Sequence, residues 1–80
     1  MYYVYIIQSI KNPEQIYVGH TSDLKKRLSN HNSGTTAHTV KYAPWEVISY
    51  FGFKNRDKSL SFEKYLKSGS GRAFRGKRLI

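Results

Sequence analysis

Tyr2 to Ser9 reads YYVYIIQS, a run of aromatic and β-branched residues whose composition calls for an extended strand. The turn Lys11-Asn12-Pro13-Glu14 follows, and then a second short extended segment, Gln15 to Gly19, at hairpin distance. A chain carrying this hairpin must fold around an antiparallel sheet. The hairpin also lays two tyrosine tripeptides side by side on adjacent strands, Tyr3-Val4-Tyr5 and Tyr17-Val18-Gly19, with eleven residues between Tyr5 and Tyr17. Sequence leaves their register open.

After the hairpin, Thr21-Ser22-Asp23 offers N-cap residues for a helix running from Leu24 through His31, with Gly34 as its stop signal. At helical spacing Leu24, Arg27, Leu28 and His31 form one stripe. Leu24 and Leu28 are expected to dock on the sheet, with Arg27 and His31 on the margin of that buried face. Thr35 to Tyr42 reads as a polar loop, and Pro44-Trp45 introduces a third strand, Glu46 to Phe53. Asn55-Arg56-Asp57 caps a helix from about Lys58 to Ser68. In that helix Phe62 and Leu66 form the apolar face, Tyr65 lies beside them, and Glu63 stands at the edge. Ser68-Gly69-Ser70-Gly71 ends it, and Arg72 to Ile80 is a basic tail with room for a short helix. No repeat, linker or second domain interrupts residues 1–80. The expected fold is α+β, a small three-stranded antiparallel sheet flanked by helices in the order ββαβα, as a single domain with a basic tail from about residue 69.

Eighty residues bury only about 60% of the surface that the unfolded chain exposes, so the core must be compact. Seven Tyr and four Phe supply large contact areas for it. Cysteine is absent, which rules out disulfides and thiolate metal sites and fits a reducing compartment. No apolar run approaches a membrane span, and Met1-Tyr2-Tyr3 lacks the basic start of a signal peptide, so a cytoplasmic location is expected. Fourteen Lys and Arg against five Asp and Glu leave a formal charge of +9, and every charged side chain from Lys64 onward is positive. A polyanion is the natural partner of such a chain, and no stretch shows the long apolar face of an interfacial helix. His20, Lys25, Lys67, Arg72, Arg75, Lys77 and Arg78 are candidate nucleic-acid contacts.

Four of the five acids have structural explanations: Glu14 sits in the turn, Asp23 and Asp57 at helix starts, and Glu46 where a strand opens. Glu63 is left in mid-helix. A hard divalent ion is held adequately by one carboxylate together with waters and substrate phosphate, whereas a two-metal site needs a carboxylate cluster that this chain lacks. Hydrolysis of a phosphodiester further needs a group to deprotonate water and a cation to neutralise the developing charge. Tyrosine is a poor base at its ordinary pKa of about 10, and a metal with several cations beside it would lower that value; His31 and His20 are rivals that need less tuning. Taken singly, each residue also has a structural explanation. Tyr5 and Tyr17 suit a strand core, Glu63 suits an i,i+4 pair with Lys67, His31 suits a helix C-terminus, and Arg27 can snorkel from an apolar stripe.

The ordered set does what no single residue can. Tyr3-Val4-Tyr5, Tyr17-Val18-Gly19, Arg27 eight residues past Gly19, His31 four further on, and Glu63 on the helix after the third strand resemble the GIY-YIG nuclease family. That domain occurs in homing endonucleases, in some restriction enzymes and in the incision subunit of bacterial nucleotide excision repair. The likeness covers nearly the whole chain, which has the size of the small stand-alone bacterial members. It implies a DNA endonuclease using one Mg²⁺ or Mn²⁺ bound by Glu63, with Arg27 neutralising the scissile phosphate, Tyr5 and Tyr17 lining the site, one of them helping to activate water, and His31 at a position where the family carries His or Tyr. The chain departs from the family pattern in having Tyr3 for the first glycine of the name motif and His20 where a lysine often follows the second, and it has no obvious late asparagine. The alternatives are a non-catalytic nucleic-acid-binding module and an interaction domain recruited by a partner. Substrate selectivity is expected to be electrostatic and low in sequence preference, with a protein partner or a dimer supplying targeting; nothing in the chain reads a 2′-hydroxyl, which leaves RNA beside DNA as a substrate class.

Overall fold

The hairpin forms as the sequence predicts, and its first strand becomes the middle of the sheet. In the computed structural model, which describes residues 1–34 and 39–78 and only the backbone of residues 73–75, 77 and 78, the elements are β1 (Tyr2–Ser9), β2 (Ile16–Thr21), α1 (Leu24–Ser33), a 3-10 turn (Val40–Tyr42), β3 (Trp45–Phe53), α2 (Arg56–Lys67) and α3 (Gly69–Arg78). Both strand pairs are antiparallel and the order is β2-β1-β3, confirming the expected three-stranded α+β architecture. In the hairpin Tyr5 faces Gly19 and Ile7 faces Tyr17.

Caps set the helix limits. The Asp23 carboxylate accepts the Lys26 N–H at 3.0 Å, and Gly34 closes α1 in the left-handed region at φ 86°. The Asn55 side chain accepts the Lys58 N–H at 3.0 Å, so α2 opens at Arg56, two residues before the expected Lys58. Strand β2 runs on to Thr21, beyond the expected Gly19, because Tyr3 and Val4 offer it ladder partners in Thr21 and His20. Helix α2 ends at Lys67, close to the stop expected at Ser68-Gly69-Ser70-Gly71, and the short helix for which the tail had room begins earlier than Arg72. After Ser68, Gly69-Ser70-Gly71 form the first turn of α3, which packs back on α2. Gly71 is required there by close approach, since a Cβ at this position would stand 2.6 Å from Leu66 Cα. Of the expected polar loop, Thr39 to Tyr42 is described; residues 35–38 lie outside the described residues.

The sheet carries a core on each face, because alternate residues of β1 point opposite ways. Val4, Ile6, Val18 and Leu66 form one, with Phe51, Phe53 and Phe62 packed against them beneath α2. Tyr5, Ile7 and Trp45 form the other, with Tyr17, Leu24 and Leu28 around them beneath α1. Among the described residues no helix is long and apolar enough to cross a membrane.

Candidate active site

Tyr5 is the centre of a buried polar node. Its residue is only 1% exposed, and its ring crosses β2 over Gly19, where a Cβ would collide with the phenol. The glycine of the second tripeptide is thus a hole for the tyrosine of the first. Arg27 donates its Nε–H to Tyr5 Oη at 3.2 Å, and His31 Nε2 lies 2.8 Å from the same oxygen. On its far side His31 Nδ1 meets Thr39 Oγ1 at 2.8 Å, and the Thr39 carbonyl accepts the Trp45 indole N–H at 2.9 Å. Tyr17 closes the group, its ring edge-on to His31 at 5.1 Å.

The histidine is fully buried, not marginal as the helical stripe suggested. Burial, reinforced by the Arg27 charge, holds its pKa below the ordinary value, so the ring is neutral and carries one proton. Arg27 already donates to the Tyr5 oxygen. The pattern that satisfies every group therefore has Tyr5 donating its phenolic proton to Nε2 and Nδ1–H donating to Thr39. Thr39 is invisible as a site residue in the sequence. It stands in a polar stretch, eight residues beyond His31, and only the fold brings its hydroxyl to the ring.

Without a metal beside it, the Tyr5 phenol is not acidified. In the protein alone burial pushes the Tyr5 pKa up, outweighing the opposing hydrogen bond and charge of Arg27, while the negative charge of Glu63 adds to the rise. Tyr5 consequently keeps its proton unless something receives it, and His31 Nε2 is in contact to do so. Arg27 is held charged by its hydrogen bond to Tyr5, and Tyr17 acts on it in the same sense.

Glu63 stands on α2 with a side chain 19% exposed and pairs through Oε2 with Lys67 Nζ at 3.0 Å, as the i,i+4 spacing suggested. Such a pair is worth only about 0.3–0.5 kcal/mol, so a divalent cation would displace it readily. Among the described residues no group of three or more acids and histidines could cage a metal, so an ion here would rest on Glu63, waters and substrate oxygens.

The candidate contact residues are dispersed. His20 is committed within the fold: Ser59 Oγ donates to the Arg56 carbonyl at 2.6 Å and so accepts from His20 Nε2 at 2.8 Å, while Tyr2 stacks on the imidazole. Lys25 is exposed on α1, Lys67 is paired with Glu63, and Arg72 is exposed on α3. The side chains of Arg75, Lys77 and Arg78 lie outside those described. Two open grooves flank the node. One, of about 380 Å³, runs along Thr21, Asp23, Lys26, Arg27 and Asn30; the other, of about 440 Å³, lies between Gln15, Tyr17, Lys41 and Trp45.

Comparison with known proteins shows the family of the chain. The family model of the GIY-YIG catalytic domain matches residues 1–77. A UPF0213 protein of Streptococcus pyogenes serotype M3 is 32% identical over 72 residues, covering 89% of this chain and 76% of its own length. The UPF0213 protein YsiG of Lactococcus lactis is 36% identical over 67 residues, 82% of this chain and 62% of the relative. The structure-specific endonuclease subunit SLX1 of Candida dubliniensis is 40% identical over 73 residues, covering 82% of this chain, which spans only 26% of that larger protein. The corresponding subunit of Talaromyces marneffei is 35% identical over 68 residues, and the chain spans 18% of it.

Proposed function

Because the chain belongs to the GIY-YIG family, we propose that residues 1–80 act as a single catalytic domain, an endonuclease that hydrolyses DNA phosphodiesters with one Mg²⁺ or Mn²⁺ ion. The observation that carries this reading is the Tyr5 hydroxyl held between Arg27 and His31. Arg27 is a permanent cation at that oxygen, placed to meet a phosphate. Tyr5 is the general base: it takes a proton from water and passes its own to His31 Nε2, whose lone pair faces it. Tyr17 narrows the site and, with Tyr5, keeps Arg27 in place. The donor set fits a hard ion, with Glu63 as its protein ligand, and when bound that ion would supply Lewis-acid charge at the phosphate oxygens.

DNA as the substrate is supported by the net charge of +9 and by the likeness to the SLX1 relatives, which are structure-specific endonuclease subunits. The second reading, a binding module without cleavage, is favoured by one observation, the engagement of Glu63 by Lys67. Cleavage of labelled duplex, single-stranded, flap and four-way-junction DNA in Mg²⁺, Mn²⁺ or EDTA, beside Glu63→Ala purified identically, separates the two. Metal-dependent cutting that disappears in Glu63→Ala, with binding kept, is the expected result. Retarded but uncut DNA across the panel supports the binding module, and cutting that survives in Glu63→Ala removes Glu63 as the ligand.

A further inference from the structure

We propose that the uncovered end of the sheet beside Tyr5, built from Tyr3 and Tyr50, is a stacking platform for an unpaired nucleobase of the substrate strand; for its ligand class this rests on the nucleic-acid reading above. Tyr3 and Tyr5 are two apart on β1 and share a face, and Tyr50 on β3 is the direct cross-strand partner of Tyr5. Helix α1 covers the part of this face where Leu24 and Leu28 pack on the core of Tyr5, Ile7 and Trp45. Beyond that cover the positions facing Tyr5 and Tyr3 open to solvent. Tyr50 is 58% exposed, and Gly52, opposite Tyr3, is exposed as well. The Tyr3 and Tyr50 rings stand edge-to-face, 6.1 Å apart and inclined at 65°. Gly52 leaves room for Met1, whose Sδ a Cβ there would meet at 2.7 Å, and the Tyr3 ring lies alongside, at ordinary contact distance of 3.5 Å from that point.

Both position and charge name the occupant. On its other side Tyr3 pairs with Thr21, and Thr21 opens the groove that carries Lys26 and Arg27. Neighbouring strands are about 5 Å apart, so platform and cationic groove adjoin. A nucleotide with its phosphate at Arg27 can set its base on the rings, and any base serves because each has a π-face. A chain of charge +9 repels a second copy and attracts a polyanion, which favours nucleic acid over self-association through this patch. Bases in a duplex are already stacked and paired, so the platform would engage single strands, flaps and junctions. Preference for DNA structure would then arise inside the catalytic domain without an added recognition module.

The test is the ratio of affinities for a labelled oligothymidine and a hairpin duplex, measured in EDTA so that strands are recovered intact, for the wild type, Tyr50→Ala, Tyr50→Trp and Ile10→Ala. Ile10 is an exposed control outside both grooves and the platform. The expected result is a single-strand preference that falls about ten-fold in Tyr50→Ala, as befits loss of one stacked base, and persists in Tyr50→Trp and Ile10→Ala. A 2-aminopurine placed in the oligonucleotide should lose fluorescence on binding to the wild type and regain it with Tyr50→Ala. An unchanged ratio in Tyr50→Ala overturns the platform, as does a wild-type dimer that Tyr50→Ala dissolves. These outcomes are independent of cleavage. Tyr50-dependent single-strand binding without any cutting would sink the nuclease and keep the platform, whereas cutting with an unmoved ratio would do the reverse.

Discussion

The two faces of the sheet are built from the same three strands and put to opposite uses. Under α2 the contact is mainly apolar apart from the His20–Ser59 hydrogen bond, with aliphatic residues of β1, β2 and α2 packed among three phenylalanines; Phe51 and Phe62 stand edge-to-face at 4.8 Å. Beneath α1 a chain of hydrogen bonds from Arg27 through Tyr5 and His31 to Thr39 threads the core. Burying such a chain is tolerable only if each member is satisfied, because an orphaned buried donor or acceptor costs about 1–3 kcal/mol. The comparison teaches how a domain this small can bury a polar site: a hydrocarbon core on the α2 face adds its cohesion to the mixed core in which the site is set.

Substitutions should divide along the same line. Leu66→Ala opens a cavity on the α2 face and should lower stability by about 2–5 kcal/mol. That is a large part of the roughly 4–12 kcal/mol expected for eighty residues, yet activity per folded molecule should survive. Urea titration beside an active-site-normalised cleavage assay checks both halves. Arg27→Ala reverses the pattern. Loss of a preorganised charge should slow cleavage about 10²-fold or more, a barrier change of about 2.7 kcal/mol, with a small shift in Tm. Equal losses of rate in the two variants would dissolve the division.

Thr39→Val falls between these extremes, since it leaves His31 Nδ1 without its acceptor. Stability should drop by about 1–3 kcal/mol and the pH–rate profile should move, whereas Thr39→Ser should restore both. A stability loss with an unmoved profile would reduce Thr39 to a packing role. The smallest effect is a slope. With the His31 pKa held down by burial in the folded state, the unfolded chain binds more protons below its own pKa of about 6.5. Stability from this group is therefore complete above about pH 6.5 and is lost as pH falls toward the lower folded value, by at most about 1.4 kcal/mol per pH unit. His31→Gln should flatten that part of a stability–pH curve.

Strand identity, the helix caps and the pairing of the two tyrosine tripeptides were all legible, because alternation, Asp23, Asn55 and the turn around Pro13 are local signals. The grouping of Tyr5, Tyr17, Arg27 and His31 was also readable as an ordered spacing. Three things were not. Thr39 acts across a loop, and a hydroxyl has no sequence signature of its partner. The direction of the Tyr5 shift depends on how deeply its ring is buried, which is a property of packing. The start of α3 at Gly69 was hidden because glycine and serine read as chain breakers, while Gly71 is there to let two helices touch.

The overlap between the Tyr5 ring and the space above Gly19 fixes an order in which these positions can change. A methyl group at residue 19 would overlap the phenol end of the Tyr5 ring, and even Cε1 lies only 2.8 Å from that point. Gly19→Ala in the present background should thus phenocopy loss of Tyr5, but become silent once residue 5 is small. The two tripeptides are epistatic, and evolutionary drift through this pair has one open gate: the tyrosine must shrink before the glycine can grow.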